Sequence, residues 1–158
     1  MNTKPDSALA RVEAELRDQR QQMRDLFAQM PVPCVVTDSA GIVIDANPAA
    51  EALLRSTLQE IHGRPMTQFV GREDRIEFRK HMSQAKHSPS MGEWRWTVTA
   101  ADGIACDVVT NISLVVRPGE PVEMRWFLRQ VAVPNKSRPA SYASAHSDRS
   151  ITLRSSSL

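Results

Sequence analysis

Few side chains in this sequence are equipped to make or break bonds. Four histidines and two cysteines are scattered over 158 residues. His62, His81, His87, Cys34 and Cys106 lack the close spacing of a metal-ligand set. His81 and His87 stand six residues apart, which places them on different sides of a helix. There is no G-x-S-x-G, no phosphate-cradling glycine loop and no H-E-x-x-H. The expectation is therefore no catalytic residue, no metal site and no enzyme. Cys34 and Cys106 both fall in strand-like runs and read as two buried, reduced thiols. Two Asn-x-Ser matches, at Asn111 and Asn135, carry no meaning without secretion, and the N-terminus has no apolar signal core.

The surrounding sequence resolves into elements. Pro33 to Leu54 organises the rest. Two apolar runs, Cys34–Thr37 and Ile42–Ile44, flank Asp38-Ser39-Ala40-Gly41, which predicts a β-hairpin with Gly41 taking the positive φ of the turn. Asn47-Pro48 then opens a helix, with Asn as its cap and Pro at its first position. Leu58–Gly63 predicts a helical turn ended by Gly63, and Met66–Val70 a second short turn. Arg72 to Lys86 predicts a longer helix with Ile76, Phe78, Met82 and Ala85 on its apolar side. Glu93–Thr99 alternates, with Trp94, Trp96 and Val98 sharing a face. Asp102-Gly103 is the next hairpin turn, Ile104–Val116 is β-rich, and Val122–Val131 is the last strand. Two strands, a block of helices and three more strands argue an α+β fold with an antiparallel sheet.

Residues 1–30 precede this body as an amphipathic helix. Leu9, Val12, Leu16, Gln19, Met23, Leu26 and Met30 are spaced alternately three and four apart, a heptad seam broken only by Gln19. With Leu9 at position a, Glu15 falls at g and Arg20 at the following e, so a parallel homodimer would pair them across the seam. The alternative is a helix folded back on its own domain; the narrowness of the stripe favours two chains. Residues 31–133 form the globular part. Residues 134–158 are Ser-rich and poor in large apolar groups, and are expected to be disordered.

Charge follows the same divisions. Residues 1–31 hold five Lys/Arg against five Asp/Glu, residues 32–133 eleven against twelve, and residues 134–158 four against one. The net +2 is thus a property of the tail. A body near neutrality is a poor nucleic-acid platform, so no direct nucleic-acid partner is expected. No apolar run approaches the length that spans a bilayer, so the protein is expected to be cytoplasmic and without a membrane partner.

In order along the chain, Val35-Val36-Thr37-Asp38, Gly41, Asn47-Pro48-Ala49, Leu54, Ile61 to Gly63, Asp102-Gly103 and the three closing strands resemble the PAS sensor family. The resemblance spans residues 31–132, and a preceding coiled helix is also typical of it. It implies a five-stranded antiparallel sheet with helices on one face, enclosing a small pocket. Asp38, Gly41, Asn47, Gly63, Asp102 and Gly103 are its structural signature, and Trp94, Trp96, Trp126, Met66, Phe69 and His81 would line the pocket.

The resemblance also frames what that pocket could hold. The light-oxygen-voltage subclass needs a flavin-reactive cysteine where this chain has Gly63–Phe69, so covalent flavin photochemistry is disfavoured. His81 or His87 falls near the position of a haem ligand, without the glycine- and arginine-bearing segment that usually follows. Non-covalent flavin could stack on a tryptophan, although sheet-face core is the commoner role. A water-filled or empty pocket is the leading expectation. The implied function is a dimeric sensory or regulatory module acting on a separate signalling partner, such as a kinase or transcription regulator. The alternative is a dimerisation adaptor without a ligand.

Overall fold

The computed structural model describes residues 6–87 and 92–132. Residues 134–158, expected to be a disordered tail, lie outside the described residues.

Helix α1 spans Asp6–Gln29. Strands β1 (Cys34–Asp38) and β2 (Val43–Ala46) form the predicted hairpin. Short helices α2 (Pro48–Leu54) and α3 (Leu58–Ile61) follow, then a 3₁₀ turn at Met66–Phe69 and helix α4 (Arg75–Ala85). Strands β3 (Trp94–Thr99), β4 (Ala105–Val115) and β5 (Glu123–Gln130) complete one antiparallel sheet of order β2-β1-β5-β4-β3. The last strand thus inserts beside the first, which brings both ends of the domain to the sheet centre.

Turn chemistry fixes the hairpins. The Asp38 carboxylate accepts the N–H groups of Ala40 and Ile42 at 2.8 and 2.9 Å, and Gly41 takes φ +81°. The positive φ favours glycine there, and a Cβ at Gly41 would also stand 2.4 Å from Met82 Cε, so that the methionine end would have to shift. At the other hairpin the Asp102 carboxylate accepts the Ile104 N–H at 3.0 Å and meets Arg55 Nη1 at 2.6 Å.

One face of the sheet packs against the helices. Val35, Trp96, Val98, Val108, Met124, Trp126 and Leu128 meet Leu54, Ile61, Phe78 and Met82 in a single buried cluster. Three expectations are corrected here. Helix α4 starts at Arg75, because Asp74 is drawn into a turn on Gly71 and its carboxylate accepts the Thr97 N–H at 2.8 Å. Ile76 is not on the apolar side: it is 81% exposed, since it lies 200° around a helix from Phe78. Cys106 is half-buried, whereas Cys34 is fully buried.

Helix α1 does not fold back over the domain. Leu9, Val12, Leu16, Met23 and Leu26 are 46–66% exposed. Met30, the last residue of the seam, lies just past the end of α1 and is half-buried.

Candidate functional site

Most of the residues expected to line a pocket stand between the sheet and α4. Residue types decide what fills it. Trp94, Trp96 and Val98 point inward by strand alternation, Trp126 does so from β5, and Phe78 and His81 come from α4. Phe78 sits among all three indoles, with ring centroids 5.4 Å from Trp94, 4.9 Å from Trp96 and 5.4 Å from Trp126. The contact with Trp126 is nearly parallel, at 14°. Packing of this kind stabilises the core by area burial and by ring quadrupole contacts of about 0.5–1.5 kcal/mol per pair.

Buried indoles need acceptors for their N–H groups. Trp126 Nε1 donates to Thr37 Oγ1 at 2.9 Å, and Trp96 Nε1 donates to Thr110 Oγ1 at 2.7 Å. Both threonines are fully buried. Thr37, Thr110 and Phe78 were not singled out from the sequence as site residues. The usable signal was their inward register, with Thr110 opposite Trp94 and Thr37 two residues from the partner of Trp126.

Trp94 is treated differently. Its ladder partner Thr110 spends its hydroxyl on Trp96, and Trp94 Nε1 is buried without a hydrogen-bond partner among the described residues. His81 stacks on Trp94 with centroids 4.6 Å apart and 28° between planes. His81 Nε2 faces Glu77 Oε1 at 3.6 Å, while Nδ1 is buried and likewise unpartnered. His81 is half-buried; His87 is exposed.

Met66 and Phe69, the remaining expected lining residues, are buried on the 3₁₀ turn and belong to the same cluster. A planar cofactor of haem or flavin size would have to displace Phe78 from among the indoles. Among the described residues no group of three or more His, Cys, Asp and Glu could hold a metal ion, and no helix is long and apolar enough to cross a membrane.

The second group of interest joins α1 to this interior. Asn47 is fully buried. Its Oδ1 accepts the N–H groups of Ala50 at 3.0 Å and Cys34 at 2.9 Å. Its Nδ2 donates to the carbonyls of Val32 at 2.9 Å and Met30 at 3.4 Å. One amide therefore caps α2 and grips the segment that leaves α1. The rest of the signature is placed on turns: Asp38, Gly41, Asp102 and Gly103 in the two hairpins, and Gly63 at φ +74° after α3. Burial raises the Cys34 thiol to about 11, and burial followed by the Asp107 charge raises Cys106. Both thiols are thereby held neutral at physiological pH.

The PAS fold family matches residues 21–131. The chain belongs to that family. Among solved PAS structures, the domain of an HTR-like protein from Haloarcula marismortui is 20% identical, with a TM-score of 0.68 over 77% of this chain and 99% of that one. A PAS domain from Colwellia psychrerythraea is 18% identical, with a TM-score of 0.64 over 70% and 95% of the two chains. An RNA-binding light-oxygen-voltage receptor is 17% identical, with a TM-score of 0.63 over 70% of this chain and 33% of that one. No curated protein matches the sequence. At these identities the structural likeness establishes the PAS fold, a fold used commonly as a sensory module in signalling proteins.

Proposed function

We propose that this PAS protein is a cytoplasmic, non-catalytic sensory module that dimerises through α1 and passes a change in its core to a separate signalling protein. One observation carries the reading. Leu9, Val12, Leu16, Met23 and Leu26, placed at heptad spacing, stay 46–66% exposed on a 24-residue helix. Helices in proteins draw most of their stability from packing an apolar face, and a second copy supplies the missing cover. Glu15 and Arg20 complement each other across a parallel seam. Gln19 would face its own counterpart in a parallel pair. A polar layer costs stability and keeps two packings close in energy, a property suited to a signalling helix.

The test is sedimentation of the wild type, Gln19→Leu and the pair Leu16→Glu with Leu26→Glu. Dimer, tighter or higher assembly, and monomer are expected in that order, each with its PAS domain folded. A doubly charged variant that remains dimeric sinks the proposal. A second reading, a dimerisation adaptor with no ligand, is favoured by Phe78 filling the interior.

A further inference from the structure

The outward face of α4 carries a charge pattern that folding does not ask for. Residues 72–86 hold five Lys/Arg against three Asp/Glu, while the rest of residues 32–133 holds six against nine. This element is basic on an otherwise acidic body. Asp74 is buried against the sheet, where it accepts the Thr97 N–H, and Glu77 faces His81 Nε2 at 3.6 Å. At about 100° per residue, Ile76, Lys80 and Ser83 lie opposite Phe78, Met82 and Ala85, with Arg75, Arg79 and Lys86 along one flank. All six outward residues are exposed, Ile76 to 81%.

The helix itself gains nothing from this arrangement. A cation in the first turn, such as Arg75, opposes the helix dipole, and Arg75 and Arg79, four residues apart, repel each other. Among the described residues no carboxylate forms an ion pair with Arg75, Arg79, Lys80 or Lys86. A surface kept merely soluble intersperses both signs. One exposed isoleucine is ordinary, but this one stands among four such cations, which makes the face apolar at its centre and basic around it. Charge complementarity names what covers it: carboxylates flanking an apolar side chain meet both parts. Arg75 to Lys86 spans about 16 Å, or three turns, the length of a short peptide helix. An extended polyanion fits less well, because the acidic body around so short a patch repels it, and phosphodiesters leave Ile76 without an apolar partner. We infer that the outward face of α4 is a docking surface for an acidic amphipathic segment of a partner protein. The inference rests on the reading of this domain as a module that acts on a separate protein, and it supplies the chemistry of that protein's docking segment. It uses none of the α1 seam.

The test is fluorescence anisotropy of the full-length protein with a labelled synthetic helix of about fourteen residues, Leu on one face and Glu on the others. Two control peptides replace every Glu by Gln or every Leu by Ser. Saturable binding is expected, about tenfold weaker for either control and weakened by salt. Arg79→Glu with Lys80→Glu should weaken it about tenfold, and Ile76→Ser about fivefold. Arg149→Glu with Arg154→Glu, in the basic tail, should leave it unchanged. Melting temperatures check that each variant folds. The wild type decides alone if one does not: in ¹⁵N spectra the peptide should shift the amides of residues 75–86. No saturable binding, equal binding of either control, shifts confined to the tail, or α4 variants that bind as the wild type does overturns the inference. Phosphatidylserine vesicles or single-stranded DNA that bind α4 more tightly than the peptide also overturn it, in favour of a membrane or a nucleic acid. Sedimentation separates the two proposals: a dimer that ignores the peptide refutes the docking surface alone, and a monomer that binds it through α4 refutes the dimer alone.

Discussion

Asn47 shows how much a single amide can join. Four backbone groups from β1, α2 and the exit of α1 meet at its two side-chain heteroatoms. Loss of a helix cap alone costs about 1 kcal/mol, and stranding a buried N–H or C=O adds about 1–3 kcal/mol. Asn47→Ala is therefore expected to destabilise the domain by about 2–4 kcal/mol in urea melts. A change under about 0.5 kcal/mol would mean that solvent replaces the amide, as on an ordinary surface. The cap was legible in the sequence, since Asn-Pro before a helical run is a local signal. The grip on Met30 and Val32 was not, because it spans 17 and 15 residues and depends on where β1 lies. Cys34 makes a second prediction at this scale. A thiol 1% exposed, with its proton held up to about 11 chiefly by burial, should resist thiol-disulfide reagents in the native state and react on unfolding. Stoichiometric labelling of Cys34 before Cys106 in the folded protein would contradict this placement.

Elements are set by phase as much as by composition. Residues 72–86 have helix composition throughout, yet the helix begins only at Arg75, where Asp74 stops serving the turn and the sheet. Ile76 then points away from the domain while Phe78, Met82 and Ala85 face it. Apolar type suggested one side for all four; the 3.6-residue period removes Ile76 from it. The contrast is measurable in thermal or denaturant melts. Ile76→Lys should change stability by less than about 0.5 kcal/mol, whereas Phe78→Ala should cost about 3–5 kcal/mol by opening a cavity among the indoles. Similar losses at the two positions would place α4 in a different rotation. The same logic explains why strand facing was readable. Period-two alternation put Trp94, Trp96 and Val98 on one face without any tertiary knowledge, but it could not say which threonine would receive which indole.

The whole domain is bound around its rim. Gly71 N–H and the Asp74 carboxylate cover Thr97 on edge strand β3, and Gly63 and Arg64 pair with Val43 on edge strand β2. Both free edges of the sheet are thus partly occupied by the helical segment, which opposes edge-to-edge association. Helix α2 ties this rim to the β3–β4 turn, through Ala101 N–H on the Leu54 carbonyl and Arg55 on Asp102. The fold was legible at this scale because strand-turn patterns are local; the exposed face of α1 raised a question that a single chain does not answer. Acid should loosen the rim. The Ile104 N–H, followed by Arg55, holds the Asp102 carboxyl below its ordinary 3.8, and the Thr57 N–H with Ser56 holds Glu60 below 4.5. A carboxylate depressed on folding contributes stability above its ordinary value and loses it as pH falls through the lower, folded value. The melting temperature of the wild type should therefore drop as pH is lowered below about 4, and less steeply in Asp102→Asn. Equal slopes would assign the acid sensitivity elsewhere. The aromatic core has one more property. All three tryptophans of the chain lie in it, with the Trp94 ring centre 6.0 Å from Trp126 and 6.4 Å from Trp96. Transition dipoles that close couple, so the protein's ultraviolet circular dichroism should carry an exciton couplet, and its fluorescence should come from one electronically linked cluster. Any rearrangement that moves one indole against another would then change that couplet, with no label attached.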